Sequence, residues 1–544
     1  MSSYFNDSPI ETPEDDRYGI TPFAESIAKS ILNIKKPVGT VIALNGSWGA
    51  GKSSAVNLIR RGLNDAKDDK FVITDFKCWW YRGEEALALA FLQNLHAVLK
   101  DGLGEKVKDL IPFIAQRLLQ AGPVVGQAIA FATGMPVAGI VSGASDFGGR
   151  FFSKDETLEK LFQKLSGILE SETRRFLVII DDIDRLSPDE ALAVFRLVKS
   201  VGHLPNVIYL LVFDRELADK TVQDRYPSEG PHFLEKIIQA GFDLPAPLQI
   251  DLNQSFLLAV QEICGSVDET QIRRFMNVFY DVVAPYVTTP RHVTRFRNAI
   301  SVTWPAIANE VSLADFLALE TLRLYEPGLF RAIRSQKGEV CGYQNLSATN
   351  RRDDNRFREF LRNVPESRHE VAKAALQRIF PRFESMGYGG ESARIWDIER
   401  RVCVASHFDT YFRLSLSHEA LSAGQIQELI ERANDRTFIQ ETFRKAALTD
   451  RKGEKSMVPV YLNELTTLAT KIDKAKVEPL LSALFEIHDE IDLKKDADKG
   501  FGRMADTSLR YHWLIRRLTS DRFSINERTD LYLSATKSAS LRPC

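Results

Sequence analysis

The chain has 544 residues, 44% hydrophobic and 26% charged, and a length that predicts about two to four domains of a soluble globular protein. Its net charge of −2 excludes a global basic field that would draw it onto nucleic acid or anionic lipid. Cys78, Cys264, Cys341, Cys403 and Cys544 form no C-x-x-C pair, and the start MSSYFNDSPIETPEDD is acidic and polar. Both argue for a reducing, cytoplasmic setting and against a zinc module, a disulfide scaffold or a secretory signal peptide.

Residues 1–15 read as a loose acidic leader. Thr21-Pro22 then supplies a cap and a first helical residue, with Phe23, Ile27, Ile31 and Leu32 on one side of the helix. Tyr18 just before it is a candidate for an adenine pocket, with an ordinary packing tyrosine as the alternative.

Val41-Ile42-Ala43-Leu44 is a short apolar run, the mark of a buried parallel strand. It leads into Gly46-Ser47-Trp48-Gly49-Ala50-Gly51-Lys52-Ser53, which fits G-x-x-x-x-G-K-[ST] without mismatch and is followed by Ser54. Val56, Leu58, Ile59 and Leu63 then give a helix with one apolar side. The glycines let the backbone wrap an anion closely, and the helix N-terminus attracts it. Lys52 would reach the β- and γ-phosphates of a nucleotide, and the Ser53 hydroxyl would ligate Mg²⁺. A glycine-rich turn without a ligand is disfavoured because strand, loop, Lys-Ser and helix agree.

A second strand at Phe71–Phe76 runs into Lys77-Cys78-Trp79-Trp80-Tyr81, and a helix follows from Glu84 to about Lys100. The paired tryptophans read as core under a loop, with a phosphate pocket as the alternative. Leu118–Ser145 carries no charge and is long enough to span a bilayer, yet it is rich in Gly and Ala. Three readings stand open: a soluble or peripherally attached helical insertion, a membrane segment, or a partner-binding surface.

Helical periodicity returns over Asp155–Glu172. Phe176-Leu177-Val178-Ile179-Ile180 is then a continuous apolar strand ending in Asp181-Asp182-Ile183-Asp184-Arg185. Downstream of the glycine-rich loop this is a Walker B strand. Asp181 would hold Mg²⁺ through its water and Asp182 would deprotonate the attacking water. Ser187-Pro188-Asp189-Glu190 opens a helix with a capping box. A strand at Val207–Phe213 ends in Asp214-Arg215, candidates for a γ-phosphate sensor or a helix cap. A helix over Pro231–Ala240 and a strand at Phe242–Pro245 follow. Strands near 40, 71, 176, 207 and 241 with helices between them predict a mainly parallel five-stranded α/β sheet covered on both faces.

Beyond Asn253 the signals are helical: Leu257–Tyr280, then a helix opening at Thr289-Pro290-Arg291, where Arg291 or Arg295 could reach back to a γ-phosphate, with a solvated helix face as the equal alternative. Residues 335–365 are arginine-rich but offset by Asp353, Asp354 and Glu359, so no nucleic-acid patch is compelled. Leu421–Leu448 and Val458–Ile491 read as amphipathic helices. The expected divisions are 1–15 (leader), 16–250 (nucleotide core with an insertion at about 105–152), 251–335 (helical lid) and 336–544 (C-terminal helical region).

Taken together and in this order, DRYGITPFAESIA (16–28), GSWGAGKSS (46–54), FKCWWY (76–81), IIDDIDRL (179–186), VFDRELA (212–218), FLEKIIQAGFDLP (233–245) and TPRHVTRFRN (289–298) resemble the KAP family of P-loop NTPases. The resemblance covers about residues 16–300. It implies an ATPase of the additional-strand type that works as a regulated switch or motor on partner proteins, with ATP and Mg²⁺ as ligands. Hydrophobic insertions between Walker A and Walker B occur in the family, which accommodates Leu118–Ser145. Lys52 and Ser53 would bind phosphate and metal, Asp181 would support the metal, and Asp182 would be the base. Arg291 matches the arginine of the family's Asn-Pro-Arg segment, with Thr289 in place of the Asn. Bacterial relatives occur in antiphage defence systems, which implies protein partners of the same system and a homo-oligomer. The alternative is a nucleotide-dependent scaffold or membrane-associated organiser with little turnover. A small-molecule kinase lacks any acceptor-site signature.

Overall fold

The computed structural model describes residues 7–66, 71–103, 110, 114, 158–201, 204–225, 230–343, 355–384, 387–415, 420–451, 455–496, 506–520 and 522–537. Leu118–Ser145 lies outside them, as does almost all of the insertion expected at 105–152. The chain divides into two units, Asn6–Gln254 with Thr289–Thr294, and Ser255–Thr288 with Arg295–Cys544.

In the first unit β1 (Thr40–Asn45), β2 (Phe71–Asp75), β3 (Arg175–Ile180), β4 (Val207–Phe213) and β5 (Ala240–Asp243) form one sheet in the order β2-β3-β4-β1-β5. Every neighbouring pair is parallel. β4 therefore separates the strand that feeds the glycine-rich loop from the strand that carries the acids, the additional-strand arrangement. The strands read as unbroken apolar runs because both faces are covered. On one face Ile42, Leu44, Leu177, Ile208 and Leu210 pack with α1 (Thr21–Asn33) and α2 (Lys52–Asp65). On the other, Val41, Ala43, Val178, Tyr209 and Leu211 meet α3 (Glu84–Leu103), α4 (Leu158–Glu170) and α5 (Pro188–Val201). Alternate residues of a strand thus serve opposite layers, and each fully buried large apolar side chain contributes about 1.5–3 kcal/mol.

Local chemistry sets the ends. The Asp16 carboxylate accepts both the Thr21 N–H and its hydroxyl at 2.7 Å, so Asp16 caps α1 and Thr21 is its first residue. At α5 Ser187 and Glu190 form the expected reciprocal box, and Glu190 also accepts the Gly83 N–H at 2.9 Å. The helix expected over Pro231–Ala240 is one turn, Gly230–Phe233. The Gln239 N–H donates to the Val41 carbonyl at 3.0 Å, which draws the following residues into β5 at the sheet edge. Residues 7–15, expected as a loose leader, are tied to α2. Ile10 N–H donates to Ser54 Oγ at 3.2 Å, and Asn57 Nδ2 donates to the Ile10 carbonyl at 3.0 Å.

The second unit is helical among the described residues, apart from an isolated bridge between Asp450 and Ser456. The helix expected over Leu257–Tyr280 is interrupted, because Gly265 takes a left-handed φ of +84° after Gln249–Cys264. The two long amphipathic pieces are also divided. Asp435 caps Arg436–Leu448 through the Phe438 N–H, and Asp473 caps Lys474–Glu486 through the Ala475 N–H. Leu429, Phe443, Leu462, Leu481 and Leu514 join these helices in one apolar cluster. Elsewhere in the unit the fully buried Asp315 accepts from the Arg274 guanidinium and, at 3.0 Å, from the Val402 N–H.

Candidate active site

The parallel register brings the C-terminal ends of β1, β3 and β4 to one edge, with Asn45 opposite Phe213 and Ile180 opposite Leu211. Loops leaving this edge must meet, which is where ligand sites of open α/β sheets form. β1 gives way to the turn Gly46–Gly51, pinned by the Gly46 N–H to the Phe213 carbonyl at 3.2 Å. Gly49 has φ +83° and Gly51 φ +103°, conformations closed to most L residues. A Cβ on Gly49 would also stand 2.9 Å from Arg291 Cβ.

Lys52 opens α2. Its ammonium lies 2.8 Å from both the Gly46 carbonyl and Asp184 Oδ2. Ser53 Oγ donates to Asp181 Oδ2 at 2.8 Å, and Asp181 Oδ1 accepts the Asp182 N–H at 2.7 Å. Burial pushes the Asp181 carboxyl above its ordinary value of 3.8 against the Ser53 bond, and the neighbouring Asp182 adds to the rise. A hydroxyl and a carboxylate side by side suit a hard divalent cation. Among the described residues no cluster of three or more His, Cys, Asp or Glu could hold a metal.

Asp182 sits at φ +63°, a left-handed conformation, and its Oδ1 accepts from Arg185 Nε at 2.9 Å. The Arg185 guanidinium in turn lies 5.2 Å from the centre of the Trp79 ring. Trp79 and Trp80 are not core: they are 37% and 59% exposed, and the buried residue of that segment is Cys78. Burial pushes the Cys78 thiol up to about 12, so it stays protonated and donates weakly to the Asp181 carbonyl at 3.5 Å.

The remaining candidates divide. Arg291, near the start of α6 (Pro290–Thr303), stands against the glycine-rich loop, pairs with Asp7 Oδ2 at 3.0 Å and lies 5.5 Å from the centre of the exposed Trp48 ring. Arg295 belongs to the second unit and lies over Tyr325. Asp214 acts as a cap, its Oδ1 accepting the Glu216 and Leu217 N–H groups, and Arg215 pairs with Asp219 one turn on. The Ser54 hydroxyl is taken by Ile10, and Ser47 is exposed beside half-buried Gly46 and Ala50. Tyr18 is half-buried and donates its N–H to Asp16. Asp184, a third acid three residues after Asp181, joins the site without any spacing rule that marks it in the sequence.

A parallel sheet of this strand order, a glycine-rich loop between β1 and α2, and paired acids after β3 define the P-loop NTPase fold. A family model described as the KAP family P-loop domain matches residues 20–307, more than half of the chain, and the chain belongs to that family. The Phage T7 exclusion protein of Escherichia coli (strain K12) is 29% identical over 348 residues, covering 60% of this chain and 46% of that protein. The chain thus spans about half the length of this curated relative. Among solved structures, the Walker-type ATPase of Pyrococcus abyssi has a TM-score of 0.29 at 15% identity, over 69% of this chain and 93% of that one. The Aeropyrum pernix ORC2 protein in its ADPNP–ADP complexes has a TM-score of 0.28 at 13% identity, over 82% and 78%. Among the described residues no helix is long and apolar enough to cross a membrane.

Proposed function

We propose that this chain binds ATP with Mg²⁺, hydrolyses it, and uses the cycle as a switch or motor that controls partner proteins in antiphage defence. The observation that carries the proposal is the 2.8 Å pairing of Ser53 with Asp181 directly beside Lys52 at the start of α2. Loop amides and Lys52 would neutralise the phosphates. Ser53 and Asp181 would hold Mg²⁺, which when bound draws negative charge from the phosphate oxygens. Asp182 would take the proton of the attacking water, and Arg291 would bring a positive charge to the loop. The family and the likeness to a phage exclusion protein support the setting. Protein partners of one system, a homo-oligomer and a cytoplasmic location belong to the same proposal. A membrane attachment rests on Leu118–Ser145 alone, and nucleic acid has no support from a net charge of −2.

The test is phosphate release from ATP by wild type, Lys52→Ala and Asp182→Asn, with and without Mg²⁺. Turnover by wild type, lost in both variants and on chelation, is expected. Wild type that neither binds nor hydrolyses ATP refutes the proposal. One observation favours a second reading, a nucleotide-dependent scaffold with little intrinsic turnover: the Asp182 carboxylate is already engaged by Arg185. On that reading wild type binds ATP and scarcely turns it over.

A further inference from the structure

Lys52 has three oxygen partners within the chain. Its ammonium pairs with Asp184 Oδ2 at 2.8 Å and donates to the Gly46 carbonyl at 2.8 Å and to the Ser47 carbonyl at 3.4 Å. The ion pair is sheltered, with side-chain exposures of 10% for Lys52 and 6% for Asp184. In such surroundings a carboxylate is a strong competitor for an ammonium, because little water screens the pair. The other Asp184 oxygen, Oδ1, accepts the Asp214 N–H at 2.7 Å. Asp214 in turn caps the helix Arg215–Arg225 through the Glu216 and Leu217 N–H groups. One carboxylate thus joins the lysine of the glycine-rich loop to the end of β4.

We infer that Asp184 is a positioning residue that occupies Lys52 in the nucleotide-free protein and competes with the phosphates for it, so that it sets nucleotide affinity. The inference rests on the nucleotide-binding reading above. When Lys52 turns to a phosphate, Asp184 loses its counter-ion but keeps the Asp214 bond. Asn at position 184 retains an oxygen for the Asp214 N–H and lacks the charge that holds Lys52. Ala at position 184 loses both.

The experiment compares full-length wild type, Asp184→Asn, Asp184→Ala and Lys52→Ala by calorimetric titration with ATP and with ADP in Mg²⁺. Asp184→Asn is expected to tighten both ligands on the order of tenfold, the factor for a lysine that is free about a tenth of the time. A purely structural Asp184 would instead give weaker binding in both Asn and Ala variants. Equal or weaker binding by Asp184→Asn, with binding by wild type intact, overturns this inference alone. No binding by wild type overturns the nucleotide reading with it. Urea unfolding of the nucleotide-free protein gives an independent arm. Lys52→Met, Asp184→Asn and the double variant form a cycle in which the double is expected to be no less stable than either single. Additive losses overturn the pairing.

Discussion

The pair between Asp182 and Arg185 makes a prediction of unusual sign, that removing the positive charge beside the proposed base speeds the reaction. Arg185 Nε stands 2.9 Å from Asp182 Oδ1, with side-chain exposures of 44% and 27%. At that exposure the pair is screened and is worth about 0.2–1 kcal/mol. If Asp182 is the base, this is the free energy by which the pair holds it back. Its removal then raises kcat by about 1.4- to 5-fold, since 1.36 kcal/mol corresponds to a factor of ten. Arg185→Ala is therefore expected to turn ATP over faster than wild type, and Arg185→Lys to lie between them. Binding of ATP should be unchanged, because Arg185 pairs with Asp182 and the Trp79 ring while Lys52 pairs with Asp184 and Ser53 with Asp181. The assay is steady-state phosphate release at saturating ATP, with Asp182→Asn as the inactive reference. A fall in kcat for Arg185→Ala with ATP binding retained refutes the reasoning and makes Arg185 a stabiliser of charge in the transition state.

Three further outcomes follow from the same geometry. Asp315→Ala is expected to lower stability by about 3–5 kcal/mol, because it strands the Arg274 guanidinium and the Val402 N–H; a urea midpoint shift below that of a surface substitution would contradict it. Gly49→Ala forces a left-handed alanine, at about 1–2 kcal/mol, and drives its Cβ to within 2.9 Å of Arg291 Cβ. Loss of ATP affinity together with a lower melting temperature is expected, and a variant identical to wild type in both rejects the proposed packing. The Asp181 carboxyl, raised above 3.8 by burial, gives two effects of opposite sign. Protonation is favoured in the folded state, so this group stabilises the metal-free protein below 3.8 and that contribution is lost as pH rises through the folded value. Holding Mg²⁺ needs the carboxylate, so the Mg²⁺ concentration for half-maximal turnover should rise as pH falls toward that window. A flat Mg²⁺ requirement with pH would remove Asp181 from the metal.

The glycine-rich loop and the acids after β3 were legible because each is contiguous in sequence, and the chemistry of each demands a fixed local spacing. So was the sheet, since strands covered on both faces leave apolar runs that need no partner to be seen. The misses have a different origin. Trp79 and Trp80 look like core by composition, but Cys78 is the residue that the short turn after β2 directs inward. The breaks at Asp435 and Asp473 are single capping acids inside stretches whose amphipathic period continues on both sides. The role of residues 7–15 depends on contacts to Ser54, Asn57 and Arg291 that no local pattern announces.

Asp184 shows why the strand order matters to the chemistry. β3 carries the acids and β1 carries the loop, yet β4 lies between them, so a side chain from the β3 loop can meet Lys52 only by passing over the end of β4. The register places Ile180 opposite Leu211, two residues short of Phe213, which itself faces Asn45. The chain after Asp181 therefore has room to turn across the end of β4, and the left-handed Asp182 and the short 3-10 turn Ile183–Arg185 accomplish the turn. Asp184 then reaches the Asp214 N–H at the β4 end and Lys52 beyond it. An additional strand thus does more than widen the sheet. It puts a backbone amide between the two halves of the site, where one carboxylate touches both.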